Sequence, residues 1–246
     1  ASLQHQSAQG CGLSARTTTM ANHSALPLLQ QWCQERAANG QRLLGLCAPP
    51  GSGKSWLSNQ VGEHVVAISI DDLYWPQPKL RQYQRGLPGS HDLPRLAQVL
   101  DDFRHQGRTL VPRFDKTLMQ GAGDRIEDQP HQGEQLLLEG WCVGARGIPT
   151  LEAYEAIWQQ LDALLVLMPP SHGHVLRWRL QAEARQRRHG GGALHPQAVS
   201  RMVERFYTAV PPKQCFEPLL DHPKMPTWLL KLDHQRRPIG PIEAVA

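Results

Sequence analysis

The sequence predicts an α/β fold, a doubly wound and mainly parallel sheet with helices on both faces. Short apolar runs of strand length recur along the chain, and segments with helical spacing separate them. These runs are continuous instead of alternating with polar residues, which is typical of parallel strands buried on both faces. The chain has 246 residues, of which 40% are hydrophobic and 20% are charged, and this composition fits a folded domain. Strands that alternate with helices in this way indicate a doubly wound sheet.

The first part of the chain alternates between helix and strand signals. Apolar residues at 28–37 recur at helical spacing, and Gly40 can end that helix. The apolar run at 43–48 predicts a strand, which a glycine-rich turn and a short helix at 55–63 follow. The β-branched run at 65–70 is typical of a buried parallel strand.

The middle of the chain has a different character. Five prolines interrupt residues 74–128, and the one helical pattern there lies near residues 93–103. We expect loops and a helix that caps one edge of the sheet. An irregular segment of this length inside a folded domain is usually functional.

Three strands and two helices complete the prediction. The strands are expected at residues 136–138, 161–167 and 228–232. Ser171 can cap a helix that ends at three consecutive glycines, and Pro196 can begin the next helix. The apolar stripe of this last helix is interpreted as core packing. It consists of Val199, Met202, Val203, Phe206, Tyr207 and Val210.

Residues 1–24 are predicted to be a disordered tail that precedes one domain at residues 25–246. The tail is rich in Ser, Thr, Gln and Ala, and the first acidic residue of the chain is Glu35. Met20 is a candidate start residue. An acid-poor, Ser-rich leader at residues 1–19 also resembles a plastid transit peptide, which is the alternative to a disordered tail without a targeting role.

Composition narrows the setting and the partners. The five cysteines are scattered and form no Cys-x-x-Cys pair, which favours a reduced, cytoplasmic protein without a zinc site. No apolar run reaches the roughly 20 residues that cross a bilayer, so we expect no membrane partner. A net charge of +4 fits an anionic small ligand as well as a nucleic acid.

Residues 48–55 form the most specific motif, Ala-Pro-Pro-Gly-Ser-Gly-Lys-Ser. It matches the phosphate-binding loop Gly-x-x-x-x-Gly-Lys-Ser/Thr except that Ala48 replaces the first glycine. The glycines let backbone N–H groups converge on phosphate oxygens, Lys54 can reach the β and γ phosphates, and the Ser55 hydroxyl can ligate Mg²⁺. The motif predicts a P-loop NTPase fold that binds ATP and Mg²⁺. The residues expected to hold the nucleotide are Pro49, Pro50, Gly51, Ser52, Gly53, Lys54, Ser55 and Trp56.

A P-loop predicts a nucleoside triphosphate but no particular reaction. The Asn-Lys-x-Asp motif with which GTPases recognise guanine is absent from the sequence. Motor ATPases generally need a longer chain and an arginine from a neighbour. The short chain, together with its arginine-rich segment, therefore favours a kinase of a small molecule. A catalytically silent nucleotide-binding regulatory protein is the alternative from a different class.

Two acids follow predicted strands at the edge of the sheet where ligands bind. Asp71 comes directly after the strand at 65–70, and Glu139 comes directly after the strand at 136–138. Asp71 is a candidate base for the acceptor hydroxyl, and Lys54 is its expected catalytic partner at the phosphates. Glu139 is a candidate ligand of Mg²⁺. Each carboxylate could instead be an ordinary acid at the end of a strand.

Two polar clusters between these strands, at residues 89–94 and 111–125, are candidate contacts for a small polar acceptor. A helix with five arginines follows at residues 171–188. A mobile arginine-rich segment can neutralise phosphate charge and exclude water, so this helix is interpreted as a lid. Nucleic-acid binding competes with this interpretation, but no interleaved aromatic residues support it. The expected lid residues are Arg179, Arg185 and Arg188.

These motifs, in this order, resemble the D-glycerate 3-kinase family, which belongs to the phosphoribulokinase and uridine kinase group of P-loop kinases. The resemblance covers roughly residues 40–240. The segments that carry it are 48–55, 69–74, 85–94, 111–116, 121–125, 138–141 and 178–183.

The resemblance implies ATP-dependent phosphorylation of the 3-hydroxyl of D-glycerate, which gives 3-phosphoglycerate. It places Asp71 at the position of the base and Glu139 at that of the metal-associated acid. It also implies that Asp92 contacts acceptor hydroxyls. Lys116 and Arg125 lie in motifs of the glycerate-like branch and are expected to bind the substrate carboxylate. The full set of expected substrate contacts is His91, Asp92, Asp115, Lys116 and Arg125.

Two positions depart from the pattern of this family. Pro50 stands where the family has glutamine, and Ala122 stands where many members have arginine. Loss of that arginine would weaken or shift substrate binding. A kinase of another small hydroxylated metabolite, such as a sugar or a nucleoside, is therefore kept as an alternative.

Overall fold

The computed structural model describes residues 24–190 and 193–245. Within them the strands are β1 (Leu43–Cys47), β2 (Val65–Ser69), β3 (Arg108–Asp115), β4 (Asp124–Gln132), β5 (Gln135–Gly140), β6 (Ala163–Met168), β7 (Thr227–Lys231) and β8 (Glu243–Ala244). Six of these strands form one sheet in the order β2-β5-β1-β6-β7-β8. The first five strands in that order are parallel, and β8 pairs antiparallel with β7. The predicted, mainly parallel sheet is confirmed.

Helices cover both faces of this sheet. They are α1 (Leu26–Ala38), α2 (Lys54–Ser58), α3 (Leu93–Gln106), α4 (Glu152–Trp158), α5 (His172–Arg188), α6 (Pro196–Ala209), α7 (Pro212–Cys215) and α8 (Glu217–Asp221). Successive residues of a strand point to opposite faces, so each buried strand contributes to two cores. Leu43 and Leu136 belong to one core with Phe103 of α3, whereas Leu44 belongs to the other with Trp32 of α1. The doubly wound architecture is therefore confirmed.

The carboxyl edge of the sheet brings three separate segments together. The motif at residues 48–55 follows β1, and the chain turns from β2 into a short 3₁₀ helix, Ile70–Leu73. Glu139 of β5 lies in register with Leu46 of β1 on one side and with Ser69 of β2 on the other. Glu139 therefore sits between the strand that leads to the P-loop and the strand that leads to Asp71.

The structure corrects the expectation of loops and one helix at residues 74–128. The helix is present as α3, but β3 and β4 form an antiparallel hairpin outside the main sheet. β4 is mostly exposed and polar, so it lacks the apolar run by which buried strands are recognised. The hairpin was therefore missed.

Two helix ends also differ from the prediction. The helix after the P-loop ends at Ser58 and not at residue 63, because Asn59 and Gly62 are poor helix formers. Ser171 stands at the N-cap of α5, but its hydroxyl bonds the Nδ1 atom of His174 at 2.8 Å instead of capping a backbone N–H group.

Other expectations fall partly or wholly outside the described residues. The tail at residues 1–23 and the glycines at 191 and 192 lie outside them, as does Cys11. The four described cysteines are unpaired and buried. No described helix combines the length and the apolar character that crossing a membrane would need.

Candidate active site

The phosphate-binding loop has the backbone geometry that its glycines allow. Gly51 and Gly53 have φ angles of +77° and +90°, which favour glycine. The N–H group of Ser52 donates to the carbonyl of Pro49 at 3.2 Å and closes a turn. A Cβ atom on Gly51 would lie 2.7 Å from the backbone nitrogen of Arg179. The loop therefore packs directly against the backbone of α5.

Ser55 and Glu139 form the pair in which a magnesium ion would be held. The Ser55 hydroxyl donates to Oε1 of Glu139 at 2.7 Å. Glu139 is 2% exposed, and its Oε2 atom is buried without a hydrogen-bond partner among the described residues. Mg²⁺ prefers hard oxygen ligands and is usually bound by one or two protein groups plus substrate phosphates, so this pair fits it. No cluster of three or more His, Cys, Asp or Glu residues suited to a metal occurs in the described part of the chain.

Asp71 lies between two donors at the end of β2. Its backbone N–H group donates to the Ser69 hydroxyl at 3.3 Å, which fixes the turn. The Tyr74 hydroxyl donates to Oδ1 at 2.8 Å, and the ammonium of Lys116 donates to Oδ2 at 2.6 Å. Burial raises the pKa of Asp71, but Lys116, Lys54 and the Tyr74 hydroxyl outweigh burial and hold that pKa well below its usual range.

A cavity of about 240 Å³, called the polar cleft here, joins the P-loop to Asp71. Its charged lining residues are Lys54, Asp71, Arg85, Lys116, Arg179 and Arg205. Five cations thus surround a single carboxylate, which is the charge pattern expected of a site for anions. The ammonium of Lys54 makes no hydrogen bond or ion pair with any described residue, so it is available to a phosphate.

The other residues that were predicted to bind the nucleotide differ in whether they line the polar cleft. Pro50 lines the polar cleft, whereas Pro49 lines a separate apolar pocket of about 340 Å³. The Ser52 hydroxyl is buried without a partner among the described residues. Trp56 is 54% exposed and lines neither cavity.

The apolar pocket explains part of the stripe on α6. Val199 and Val210 are buried, as predicted for core residues, whereas Met202 and the buried Val203 line the polar cleft. Phe206 is also buried and stands in the wall between the two cavities, whereas the half-buried Tyr207 lines the apolar pocket. The stripe therefore contributes to both core and cavities.

Asp92 and Arg125 contact each other and not the polar cleft. Their side chains form an ion pair of 3.0 Å and are 13% and 17% exposed. Asp92 caps α3 by accepting from the N–H group of Arg95, and Arg125 donates to the carbonyl of Tyr74 at 2.8 Å. This placement favours a supporting role for both residues, and their direct contact with substrate stays a prediction.

His91 and Asp115 also lie outside the lining of the polar cleft. His91 is 1% exposed, and its Nδ1 atom lies 2.7 Å from the Tyr154 hydroxyl. Asp115 accepts from both the N–H group and the hydroxyl of Thr117. Asp115 thereby shapes the turn that presents Lys116, the one predicted substrate residue that lines the cleft.

Of the three expected lid arginines, Arg179 alone lines the polar cleft. It is ion-paired with Glu183, one turn further along α5. Arg185 lines a different, cationic recess, and Arg188 is exposed near the end of the helix. Trp178 is fully buried in the core and anchors the part of α5 that lies beside the P-loop.

Arg236 is a functional candidate that the sequence did not reveal. Its Nε atom donates to the carbonyl of Gly51 at 2.7 Å, and its Nη2 atom donates to that of Trp178 at 3.1 Å. Its φ angle of +65° is unusual for arginine. Trp178 in turn donates to the carbonyl of His234. We call Arg236 and its two carbonyl partners the P-loop clamp. No local motif points to it, because its partners lie far away in the sequence.

Tyr74 and Arg85 were also missed as individual site residues. Tyr74 bonds the candidate base, and its ring stacks on His91 with centroids 4.7 Å apart. Arg85 donates to the carbonyls of Gly121 and Ala122 at 3.0 and 2.6 Å. A guanidinium therefore lies beside position 122 although alanine occupies it.

The fold and the site define a class of protein, those with the P-loop kinase fold, and a solved structure shares this fold. The D-glycerate 3-kinase of Cryptococcus neoformans superimposes on this chain with a TM-score of 0.73. The two are 22% identical, and the match covers 83% of this chain and 89% of that one. At this identity the likeness shows a shared fold.

Two curated relatives are kinases, and one of them is a D-glycerate 3-kinase. The chloroplastic D-glycerate 3-kinase of Arabidopsis thaliana is 28% identical in an alignment 233 residues long that covers 72% of this chain and 51% of the plant protein. An uncharacterised kinase of Schizosaccharomyces pombe is 29% identical in an alignment 193 residues long that covers 57% of this chain and 69% of the yeast protein. The chain thus spans about half the length of the plant relative. No protein-family profile matches it. These likenesses confirm the resemblance to the D-glycerate 3-kinase family.

Proposed function

We propose that the chain is an ATP-dependent kinase that phosphorylates the 3-hydroxyl of D-glycerate to give 3-phosphoglycerate. One observation carries the proposal. A free P-loop lysine, Lys54, and a candidate base, Asp71, line one cleft, and the Ser55–Glu139 pair begins at the next residue of the loop. A phosphate donor and a hydroxyl acceptor could therefore meet in that cleft. The relatives named above agree with this chemistry.

The residues have distinct tasks in the proposed reaction. The backbone of the P-loop and the ammonium of Lys54 would hold the β and γ phosphates of ATP. Ser55 and Glu139 would hold the magnesium ion, which when bound neutralises charge on the phosphates. Asp71 would accept the proton of the acceptor hydroxyl while the oxygen of that hydroxyl bonds the γ-phosphorus. The bond between that phosphorus and the bridging oxygen breaks, and ADP leaves.

The charge of the cleft supports an acidic acceptor. ATP and D-glycerate together bring several negative charges, and five cations line the cleft against one carboxylate. Lys116 is the candidate partner of the glycerate carboxylate, with Arg85 and Arg205 as further cations in reach of the same space. The same balance favours a small anion over a nucleic acid, whose binding would call for an exposed basic stripe.

Two alternatives make different predictions. A kinase of a sugar or a nucleoside would act on a neutral acceptor, for which five cations provide no obvious partner. A silent regulatory protein would not need Asp71 and Glu139 beside an intact P-loop. The departures at Pro50 and Ala122 keep the acceptor open to test.

The decisive experiment is an acceptor screen. The purified chain is incubated with Mg·ATP and D-glycerate, L-glycerate, glycerol, ribose or uridine, and ADP release is measured together with the product by ³¹P NMR. We expect D-glycerate to give the highest kcat/KM and a phosphate ester at the 3-hydroxyl. If a sugar or a nucleoside caused ADP release and D-glycerate caused none above background, D-glycerate would be excluded and that compound would be the substrate. No release with any acceptor would favour the regulatory alternative.

A further inference from the structure

In the polar cleft, the cation expected to bind the substrate is already bonded to the candidate base. Lys116 Nζ lies 2.6 Å from Oδ2 of Asp71, and the other carboxylate oxygen, Oδ1, accepts from the Tyr74 hydroxyl at 2.8 Å. Both oxygens of Asp71 are therefore engaged before any acceptor arrives. An ammonium bonded to an oxygen strongly disfavours protonation of that oxygen, so Asp71 in this arrangement is a poor base.

Lys116 is positioned so that it can exchange partners. Its side chain is 54% exposed, and Asp71, its ion-pair partner, is 30% exposed toward the cleft. An ion pair as open to water as this one is weak, and a second anion can compete for the lysine. The turn formed by Asp115 and Thr117 holds the backbone beside Lys116, so the flexible side chain alone has to move.

Among the described residues, Asp71 is the one carboxylate that lines the cleft. If Lys116 leaves Asp71, the cleft therefore offers it no other carboxylate as a partner. The phosphates of ATP are assigned to the P-loop and Lys54, so a neutral acceptor brings no anion for Lys116, and water can only compete weakly. An acceptor with its own carboxylate brings the missing partner. The group that would attract Lys116 away from Asp71 is thus part of the substrate.

We propose that Lys116 is a latch on Asp71, released by the carboxylate of the acceptor. When the acceptor carboxylate bonds the ammonium, Oδ2 of Asp71 becomes free to take the proton of the acceptor hydroxyl, whose oxygen then bonds the γ-phosphorus as ADP leaves. The latch makes the enzyme selective for hydroxy acids and suppresses transfer to water. This inference rests on the proposed function in one respect, since it requires Asp71 to be the base.

The test compares the wild-type chain with Lys116→Met, which keeps the length of the side chain and removes its charge. Three reactions with Mg·ATP are followed: phosphorylation of D-glycerate, phosphorylation of glycerol, and ATP hydrolysis without an acceptor. We expect the KM for D-glycerate to rise at least about tenfold with kcat changed little, because binding is lost while Asp71 is free. We expect kcat/KM for glycerol and the rate of ATP hydrolysis to rise about tenfold.

The outcomes separate the latch from simple binding. If Lys116→Met weakens glycerate binding but leaves glycerol phosphorylation and ATP hydrolysis unchanged, Lys116 only binds the carboxylate and the latch is refuted. If wild type does not phosphorylate D-glycerate, the proposed function fails, and glycerol phosphorylation and ATP hydrolysis alone decide the latch in the same way. Lys213→Met, which removes an exposed lysine of α7 away from the cleft, is the matched control and should change none of the three rates.

A measurement without turnover supplies a second readout. The carboxyl carbon of Asp71 is followed by ¹³C NMR in the presence of magnesium and a non-hydrolysable ATP analogue, and its resonance is assigned with Asp71→Asn. Addition of D-glycerate should move the pKa of Asp71 upward toward that in Lys116→Met, whereas glycerol should leave it low. Equal titration with both compounds would contradict the latch.

Discussion

Asp71 follows β2 and Glu139 lies near the end of the neighbouring strand β5, but their surroundings differ enough to give them different chemistry. Glu139 is 2% exposed, and the Ser55 hydroxyl donates to it. Asp71 is 30% exposed and faces the cleft between Lys116 and Tyr74. A carboxylate buried beside a P-loop serine suits a metal ligand, whereas a carboxylate open to the cleft suits proton transfer.

Replacing Asp71 by asparagine should separate catalysis from nucleotide binding. The amide can still accept from Tyr74 but cannot take a proton, so we expect kcat to fall by about 10²- to 10⁴-fold. The Kd for ATP, measured by calorimetry, should change little, because Asp71 is not part of the P-loop. Asp72→Asn is the matched control, since Asp72 accepts from the N–H group of Phe114 and an amide oxygen preserves that bond. Unchanged turnover in Asp71→Asn would remove this residue from the role of base.

Residues in short motifs, or at strand ends, were predictable from the sequence, whereas residues paired over long distances were not. Lys54 is part of a contiguous motif, and Asp71 directly follows a recognisable strand. The pairing of Asp92 with Arg125 depends on how the hairpin packs against α3, which no local pattern encodes. Both residues were assigned to substrate because polar residues in a loop look alike whether they bind a ligand or one another.

At the scale of elements, the P-loop clamp connects three segments. The loop that precedes the end of the chain places Arg236 against the carbonyls of Gly51 and Trp178. α5 approaches the P-loop so closely that only glycine fits at position 51. The phosphate-binding loop is therefore held from two sides before a nucleotide arrives, which reduces the entropy that binding would cost.

Arg236→Gln should weaken nucleotide binding more than it slows the reaction. Bonds from a charged donor are worth about 1.5 to 3 kcal/mol, so loss of the clamp should raise the KM for ATP at least about tenfold, with a smaller change in kcat. Arg236→Lys can restore one bond and should recover part of the affinity. The control is Arg237→Gln in the same loop, because the Arg237 side chain bonds Asp233 and not the P-loop. An equal loss in both variants would mean that the loop and not the clamp matters.

Elements were predictable to the extent that burial shaped their composition. β1, β5 and β6 are almost entirely buried, β2 at the edge of the sheet alternates half-buried and buried residues, and all four strands were found close to their predicted bounds. β4 pairs through its backbone while its side chains face water, so its sequence resembles that of a loop. The hairpin nevertheless carries the turn with Lys116, so the element that was missed is the one that shapes the acceptor side of the cleft.

For the whole molecule, alternation of strand and helix predicted a parallel sheet but not the order of its strands. That order depends on which strand pairs with which, and many orders satisfy the same alternation. All parallel strands end at one edge, and the observed order, with β5 between β1 and β2, makes Glu139, the P-loop and Asp71 neighbours there. The site is thus a consequence of topology, while its members are a consequence of motifs.

His91 lies in a buried network close to Asp71, and its protonation affects the stability of the whole fold. The His91 ring stacks on Tyr74, which follows β2, and bonds Tyr154 of α4. The Tyr154 hydroxyl also accepts from the N–H group of Gly89 at 3.0 Å. Burial lowers the pKa of His91 from 6.5 to about 4, so the folded protein holds this ring neutral.

This neutral histidine makes stability depend on pH, with a sign that follows from proton linkage. Below pH 6.5 the unfolded chain binds a proton at His91 that the folded protein refuses until about pH 4, so stability falls as the pH drops through that window. His91→Gln keeps a partner for Tyr154 and cannot titrate. It should be less stable than wild type near pH 7, but the difference in unfolding free energy should shrink by about 2 kcal/mol near pH 5. Urea denaturation at both pH values measures this difference. If the difference in unfolding free energy between wild type and His91→Gln were the same at both pH values, the folded protein would admit the proton at His91.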